Sequence, residues 1–460
     1  MGSCQPSTGR TLFVLLSVLI LDLLAFTCIL PLFPSIIDFY SKANTNHSSE
    51  EDVAFTHFES FTRYLQSTLQ IPDLQRYNNV FFGGIIGSLF SFLQYLSSPL
   101  LGALSDVCGR KPILILSVCG SLLSYYVWYN ATNFGLFILS RIVGGLSKAS
   151  VSVAIAIVTD ICPTTSRGKG MAYVGLCFSL AFIIGPAIGA YFASAAKELN
   201  LNNDGIARLD SSPAKFAMVI TVLEMFLIAF LPETAPKSRK NMREVFNSAY
   251  SYVNPKSLFQ FQMFDNTQQR AALQKYGKVY FFYLFIYSGL EFTLCFLTHI
   301  RFQYDNMQQG RLYLFTGFLM ALLQGGFVRR IPLNRQHRAA TIGLAIVVPA
   351  FLLISLAFNQ SILYLSLALY AAASAIVVPC LTTLVSAQCD ENSKGACMGV
   401  FRSIGALSRA CGPIFGSLLF WAMGPSLAYA IGGCLLVYPV YLMRRIGHAI
   451  TDERNGVKKE

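Results

Sequence analysis

The stretch LILDLLAFTCILPLFP, from Leu19 to Pro34, places one carboxylate, Asp22, inside an apolar run that begins at Thr11. A helix needs about 20 apolar residues to cross roughly 30 Å of hydrocarbon. An ionised aspartate near the centre of such a helix costs at least ~2.5 kcal/mol. The stretch therefore predicts a membrane-spanning helix with a charged group whose cost must be offset by a partner or kept for a function.

The composition of the whole chain is that of a membrane protein. Hydrophobic residues make up 54% of the 460 residues and charged residues 13%, which is too apolar for a soluble protein of this length. The first apolar run has no small-residue cleavage site and contains Asp22, so we interpret it as a membrane span rather than a signal peptide. The net charge of +12 is explained by membrane topology, and we expect no binding to nucleic acid.

Apolar segments recur along the chain, with six before a polar gap and six after it. They cover residues 11–33, 80–101, 112–128, 135–159, 170–193 and 215–231, and then 279–299, 311–328, 339–358, 362–386, 395–422 and 426–443. Because backbone polar groups need internal partners in lipid and strand-like alternation is absent, these segments are predicted to be helices. The predicted fold is an all-α membrane protein with twelve transmembrane helices in two pseudo-symmetric six-helix bundles.

The expected domains follow this pattern. They are an N-terminal bundle over residues 1–231, a cytoplasmic linker over 232–278, a C-terminal bundle over 279–444 and a cytoplasmic tail over 445–460. Most of the 35 Lys and Arg residues fall on one side of the predicted spans, which places both termini in the cytosol, in the plasma membrane or an endomembrane. Asn46 begins an N-x-[ST] sequon in a long external loop and is the predicted glycosylation site.

Enzymatic and metal chemistry finds no support in the sequence. The twelve cysteines form no C-x-x-C or Cys/His metal spacing and are interpreted as small core residues. The chain has no G-x-x-x-x-G-K-[ST] phosphate-binding motif, and its five histidines form no catalytic arrangement. We therefore expect no cofactor, no metal site and no enzyme activity.

The two halves of the chain repeat each other. The motif Arg167-Gly168-x-x-Met171 aligns with Lys394-Gly395-x-x-Met398, and at the same offset Gly185-Pro186-x-x-Gly189 aligns with Gly412-Pro413-x-x-Gly416. Two matches in the same order indicate an internal six-helix duplication. Repeats of this kind form a binding site between the halves, near the bilayer midplane, and expose it alternately by rocking.

The loop between the second and third predicted spans carries a motif. In GALSDVCGRKP the motif residues are Gly102, Asp106, Gly109, Arg110 and Lys111. The loop resembles the signature loop of the major facilitator superfamily, although a valine follows the aspartate where a basic residue is usual. Its glycines permit a tight turn and its charges can meet helix ends, so we predict a cytoplasmic gate, with a solvated turn as the alternative.

Further motifs extend this resemblance over most of the chain. The segment LSRIVGG at 139–145 resembles the fourth-helix arginine motif of the superfamily, and LPET at 231–234 resembles the end of the sixth helix. The first helix, with Asp22, Pro31 and Pro34, is similar to that of proton-driven tetracycline exporters. The resemblance implies a proton-coupled, antiporter-like carrier of an organic anion or drug.

Two glycine-proline pairs predict bent helices. The helix-bend residues are Gly185, Pro186, Gly189, Gly412, Pro413 and Gly416. Each proline frees a backbone carbonyl, and the glycines allow close approach of a partner helix. The first motif also resembles the fifth-helix antiporter motif of the superfamily, so a role in exchange is the alternative to a purely architectural one.

Six charged residues within the predicted spans are the candidates for proton coupling and for the substrate cavity. They are Asp22, Arg141, Lys148, Glu291, Arg402 and Arg409. All but Arg141 and Arg402 count to mid-span, where a charge is expensive and indicates function. Each could instead form a static ion pair between helices. Glu224, on the sixth predicted span, is interpreted as structural.

The predicted function is secondary active transport by alternating access. Four cations and two acids in the candidate set leave a surplus of positive charge, which favours a small amphipathic organic anion held by Arg409 or Lys148. Asp22 can be neutralised by a cation or by a proton, so it is the predicted proton switch. We expect protons and membrane lipid to be the other partners. We expect the protein to be a monomer. A non-transporting sensor or scaffold, or a facilitative uniporter, are the alternatives.

Overall fold

The computed structural model describes residues 6–45, 52–69, 75–200, 211–234, 253–261, 267–389 and 394–457. The helices of the first half are α1 (Pro6–Thr27), α2 (Phe33–Thr45), α3 (Val53–Leu69), α4 (Gln75–Cys108), α5 (Arg110–Tyr129), α6 (Phe134–Ser147), α7 (Ser150–Ile161), α8 (Thr164–Asn200) and α9 (Ser212–Ala229). Those of the second half are α10 (Pro255–Gln260), α11 (Thr267–Phe302), α12 (Asn306–Gly326), α13 (Leu333–Ser355), α14 (Gln360–Gln388), α15 (Lys394–Leu435) and α16 (Val437–Val457). Every regular element in these ranges is helical, which confirms the predicted fold class.

Eleven helical stretches in the described residues are long and apolar enough to cross a membrane. The last of them, Cys397–Gly447, has 51 residues, more than twice the ~20 residues that one span requires. Inside it the chain turns at Gly424, where φ is 77° and ψ is 172°, and Pro425 follows. A left-handed φ of this kind interrupts an α-helix, so the stretch holds two spans. The chain is a multi-pass membrane protein with the twelve predicted spans.

The fourth span is interrupted at mid-depth, a feature absent from the sequence-based prediction. The sequence predicts one helix over residues 135–159, but α6 ends at Ser147 and α7 begins at Ser150. Lys148 has a ψ of 84° and Ala149 a φ of −122°, both outside the helical range. Non-helical backbone at membrane depth is tolerated only where protein or a cavity surrounds it. The break therefore marks the surroundings of Lys148 as a candidate site.

In the ranges that the structure describes, the chain divides into two compact units. The first unit is Met1–Tyr250 with Leu294–Gly317, and the second unit is Ser251–Thr293 with Phe318–Glu460. The C-terminal end of α11 and the first part of α12 thus belong to the first unit. The domain bounds at 231, 278 and 444 stay predictions.

The core of the first unit forms around α1, which packs against α7, α8 and α9. Leu15, Val18 and Leu19 on α1 are buried in one cluster with Val153 and Ile228. Other apolar side chains of the same unit point outward, as expected where lipid replaces water. Two of these are Leu116, which is 56% exposed, and Phe226, which is 61% exposed. Apolar groups thus fill both the interior and the outer surface, and the buried charges of this unit are exceptions to that pattern.

The helix-bend glycines of the first unit lie where α8 meets the end of α1. A Cβ atom on Gly185 would collide with the hydroxyl of Thr27, and one on Gly189 would collide with the carbonyl of Cys28. The Thr27 hydroxyl also donates a 2.9 Å hydrogen bond to the carbonyl of Ala181 on α8. Pro186 lies inside α8 beside these contacts. The glycines are required for the close approach of the two helices.

Equivalent contacts occur in the second unit, between α15 and α11. A Cβ atom on Gly412 would collide with the hydroxyl of Ser288, and one on Gly416 would lie 2.5 Å from the backbone of Gly289. The Ser288 hydroxyl lies 3.5 Å from the carbonyl of Ser408, which is the repeat equivalent of the first-unit acceptor. This correspondence supports the internal duplication and favours architecture as the role of both motifs.

The described cysteines fit the expectation of small core residues in part. The sulfur atoms of Cys389, just after α14, and Cys397 in α15 lie next to each other, and Cys397 is fully buried. Several others, including Cys28, Cys177 and Cys380, are free and buried as expected.

We expect Gly189→Ala and Gly416→Ala each to destabilise the protein by about 1–3 kcal/mol, because the added methyl group meets backbone that cannot move aside. The measurement is the thermal midpoint of the purified protein in detergent. Gly175→Ala on α8 and Gly399→Ala on α15 are the matched controls, since a Cβ at either position meets no atom within 4 Å. Equal midpoints for the four variants would contradict the close-approach role.

Candidate functional site

Asp22 is buried in α1 and ion-paired. Its Oδ1 atom lies 2.5 Å from Nζ of Lys148, and both side chains are buried. The hydroxyl of Ser150 donates a hydrogen bond to the other carboxylate oxygen. Because Ser150 is the first residue of α7, the carboxylate also lies at the positive end of that helix dipole. These contacts offset the cost of the charge, while a role of the pair in coupling stays a prediction.

Ser117 on α5 stabilises the break in the fourth span. Its hydroxyl donates a 2.6 Å hydrogen bond to the carbonyl of Ser147 and accepts a 3.0 Å hydrogen bond from the backbone N–H of Ala149. Both backbone groups lie where the regular helical ladder is interrupted. A side chain of a neighbouring helix thus satisfies the backbone on either side of Lys148 and fixes its position beside α1.

Arg141 on α6 is buried and has no acidic partner among the described residues. Its guanidinium lies over the rings of Trp128 and Phe137, at 5.3 Å and 5.5 Å from their centroids. Nε donates a hydrogen bond to the hydroxyl of Ser140 at 3.2 Å. Nη2 has no hydrogen-bond partner in the described part of the chain. The alternative of a static ion pair is therefore not seen for Arg141, which keeps donor capacity for a ligand.

A cavity of about 10 Å³, which is room for about one water molecule, lies between Arg141 and Lys148 in the first unit. Its wall includes the rings of Phe26 and Phe90, which stack with centroids 5.2 Å apart. Nζ of Lys148 lies 5.3 Å from the centroid of Phe26. Ser121 supplies a hydroxyl to the same wall. The cavity thus combines two cations with an aromatic surface.

Glu291 on α11, in the second unit, is held by two tyrosines. The hydroxyl of Tyr370 donates a 2.7 Å hydrogen bond to Oε1 of Glu291, and the hydroxyl of Tyr287 lies 3.5 Å from the same oxygen. The two tyrosine rings stack with centroids 5.3 Å apart and an angle of 3° between their planes. Tyr287 also donates to Ser374 at 2.9 Å. The acid thus has neutral donors, which the sequence-based reasoning missed.

Arg402 and Arg409 lie two turns apart on α15. Arg402 is half-buried, and Arg409 is exposed. Arg409 is close enough to Glu291 to act on it electrostatically. The roles of both arginines in binding stay predictions.

The ion pair of the first unit does not follow the internal repeat. Asn133 and Asn359 are N-caps of α6 and α14, and their side chains accept equivalent backbone hydrogen bonds. In this register Ser374 stands where the first half has Lys148. In the register of the glycine contacts, Tyr283 stands where the first half has its aspartate. Packing of the repeat therefore does not require the charged pair.

Arg110 is the centre of the predicted gate motif. Its guanidinium lies 2.5 Å from Asp106 and 2.9 Å from Asp160, and Nη1 donates a 2.7 Å hydrogen bond to the hydroxyl of Ser105. The side chain is buried by these contacts. They join the ends of α4, α5 and α7. Asp160 was not recognised from the sequence, because no spacing rule connects it with the loop.

Glu233 completes the gate motif. Its carboxylate accepts hydrogen bonds from the backbone N–H groups of Arg110, at 2.8 Å, and Lys111, at 3.1 Å, and so caps α5. Gly109 has a φ of 102°, and a Cβ there would lie 2.7 Å from Glu233. A Cβ on Gly102 would make only an ordinary 3.6 Å contact, so of these two glycines Gly109 alone is required for close approach. Opening of the gate during transport stays a prediction.

A second polar cluster of the first unit was also missed. Asp38 on α2 accepts a 2.5 Å hydrogen bond from Asn79 on α4, and its other oxygen lies 2.8 Å from Nε2 of His299 on α11. Nδ1 of His299 lies 3.1 Å from the carbonyl of Tyr304. Both ring nitrogens face oxygen acceptors, an arrangement that fits a protonated imidazole.

The predicted glycosylation site, Asn46, lies outside the described residues.

Membrane-spanning helices with buried charges around a cavity are typical of membrane transport proteins. The model of the Major Facilitator Superfamily matches residues 15–413. The chain belongs to the Major Facilitator Superfamily, and it is a transporter rather than an enzyme, as the sequence predicts.

Individual relatives cover nearly the whole chain. The chain is 38% identical to major facilitator superfamily domain-containing protein 10 of Mus musculus, over 96% of this chain and 94% of that protein. It is 24% identical to the class E tetracycline resistance protein of Escherichia coli, over 90% and 89% of the two chains. The crystal structure of the human organic anion transporter MFSD10 (TETRAN) superposes with a TM-score of 0.76 at 36% identity, over 95% of this chain and 100% of that one.

We expect Arg110→Lys to lower stability by about 1–3 kcal/mol, because a lysine cannot reproduce the forked contacts to two carboxylates and a hydroxyl. Arg63→Lys is the matched control. Arg63 also pairs with an acid four residues away, Glu59, but its side chain is 73% exposed, and such pairs contribute about 0.3–0.5 kcal/mol. The measurement is the thermal midpoint in detergent, and an equal shift for both variants would show that Arg110 lies in a solvated turn.

Proposed function

We propose that the protein carries amphipathic organic anions together with protons. The observation that carries this proposal is the cavity of the first unit, where Arg141 has no acidic partner in the described residues and Lys148 is paired with Asp22. The similarity to the human organic anion transporter points in the same direction.

We also propose that both termini lie in the cytosol, because most Lys and Arg residues fall on that side of the predicted spans.

Arg141 is the proposed binding group for the anion. A guanidinium presents planar pairs of N–H donors, which match a carboxylate or a sulfonate. Because the cavity has room for about one water molecule, the surrounding helices must separate to admit the substrate, and the stacked rings of Phe26 and Phe90 then offer a surface for its apolar body. An organic cation would instead meet two positive charges. The chemistry therefore selects an anion with an apolar body.

Proton coupling follows from the sharing of Lys148. When the anion engages Lys148, Asp22 loses the cation that stabilises its charge. A carboxylate left alone in a dry site is neutralised at lowest cost by a proton. The anion and a proton are then bound at the same time and move in the same direction. Transport of a monoanion with one proton is electrically neutral, in contrast to the exchange that the sequence resemblance implies.

We expect Arg141→Gln to lower the affinity for an amphipathic organic anion about 10- to 100-fold, the effect of losing a charge-assisted hydrogen bond of about 1.5–3 kcal/mol. Arg141→Lys retains the charge and part of the affinity. The measurement is concentration-dependent uptake of a radiolabelled aromatic sulfonate into proteoliposomes. Arg63→Gln, the same change at an exposed position, is the control. Unchanged anion uptake in Arg141→Gln, with an aromatic ammonium as the better substrate, would overturn the assignment.

We expect Asp22→Asn to abolish accumulation of the same sulfonate driven by a pH step, while passive exchange continues. One pH unit supplies about 1.4 kcal/mol per proton, enough for a roughly tenfold gradient. Uptake is compared with and without the step while a potassium diffusion potential clamps the membrane voltage. Glu59→Gln, at a partly exposed acid, is the control.

Three outcomes of this experiment separate the alternatives. Accumulation in wild type but not in Asp22→Asn supports coupling through Asp22. Accumulation that survives in Asp22→Asn and is lost in Glu291→Gln would assign coupling to the second unit. Uptake that never exceeds equilibrium in wild type would indicate a facilitative uniporter, and no flux at all would indicate a sensor or scaffold.

A further inference from the structure

Glu224 on α9 is a carboxyl without a partner in the interior of the first unit. Its side chain is 0% exposed, and neither oxygen has a hydrogen-bond partner in the described part of the chain. Ala217 and Thr221 share its buried face, whereas Val222 and Phe226 are exposed. An ionised carboxylate in this position would cost several kcal/mol. The geometry therefore favours the protonated form of Glu224, not the purely structural role predicted from the sequence.

The groups that face Glu224 come from the elements packed against α9. Asp22 on α1 and Lys148 at the break of the fourth span act on it electrostatically, and Tyr125 faces it from α5. α8 also packs on α9 but carries no charged residue among its described side chains. Nζ of Lys148 lies 2.5 Å from Asp22, so this lysine, which acts on Glu224 electrostatically, is already engaged. Two carboxyls thus compete for one lysine.

We propose that Glu224 is a second proton-binding carboxyl, which shares Lys148 with Asp22; this inference rests on the proton coupling proposed above. In the observed arrangement Lys148 neutralises Asp22, and the proton is on Glu224. In the alternative arrangement Lys148 pairs with Glu224, and the proton is on Asp22. Each arrangement contains two carboxyls, one ammonium group and one bound proton, and has no net charge.

The shared lysine determines how many protons accompany the anion. With Lys148 on Asp22, the cluster holds one proton. With Lys148 on the anion, both carboxyls are neutral and the cluster holds two. One proton is therefore taken up for each anion, and the resident proton on Glu224 prevents this acid from competing with the anion for Lys148.

Infrared spectroscopy of the purified full-length protein at neutral pH tests the proposal. Wild type shows the C=O stretching band of a protonated carboxyl, and Glu224→Gln removes the contribution of Glu224. Asp22→Asn frees Lys148 to pair with Glu224, which then ionises, so its band is lost in this variant as well. Lys148→Gln leaves both acids without their cation and about doubles the band. Glu59→Gln, at a partly exposed acid, leaves the spectrum unchanged.

Thermal stability gives a second measurement. At neutral pH the folded protein binds a proton at Glu224 that the unfolded chain does not hold, so stability falls as the pH rises. Glu224→Gln removes this part of the pH dependence, whereas a purely structural role would shift the midpoint equally at every pH.

Two results would overturn the proposal: a wild-type carboxyl band that Glu224→Gln leaves intact, or a Glu224 band that persists in Asp22→Asn. If Glu224→Gln fails to fold, Asp22→Asn and Lys148→Gln still decide, since both keep Glu224. The spectra require no transport. Absence of pH-driven flux would therefore count against the proposed function alone, and unchanged spectra against the shared lysine.

Discussion

The ion pair between Asp22 and Lys148 is the interaction on which the candidate site of the first unit depends. In hydrocarbon every charge and every free backbone group needs a partner inside the protein. The pair meets this requirement together with a break in the fourth span, because Ser150 and the start of α7 bring donors to the carboxylate while Ser117 satisfies the interrupted backbone. Charge, broken helix and cavity are thus parts of one arrangement.

The internal repeat separates architecture from chemistry in this arrangement. Both units keep the glycine contacts and the capping asparagines. The second unit has Ser374 and Tyr283 at the positions of the charged pair, and holds Glu291 with neutral tyrosine hydroxyls instead. The glycine contacts thus form in the second unit without such a pair, and a role of the pair in transport stays a prediction.

Much of the fold could be predicted, because the apolar segments and the internal duplication are both visible as patterns in the sequence. Hydrophobic length determines the spans, and even the last loop coincides with the turn at Gly424. Only part of the candidate site could be predicted from the sequence. Charges at mid-span are visible in the sequence, but their partners depend on which helices meet. The contacts of Asp160, Glu233 and Tyr370 are therefore seen only in the structure. The same holds for the break at Lys148, where the sequence has no proline or glycine.

The glycine contacts have a mechanical consequence. Where Gly189 meets the backbone of Cys28, and Gly416 that of Gly289, there is no side chain that could change rotamer to absorb a displacement. Sliding or rotating either helix would drive backbone into backbone. We therefore expect α1 and α8 to move together as one rigid pair, and α11 and α15 to do the same. Asp22 therefore lies on a helix whose end is held against its neighbour by backbone contact.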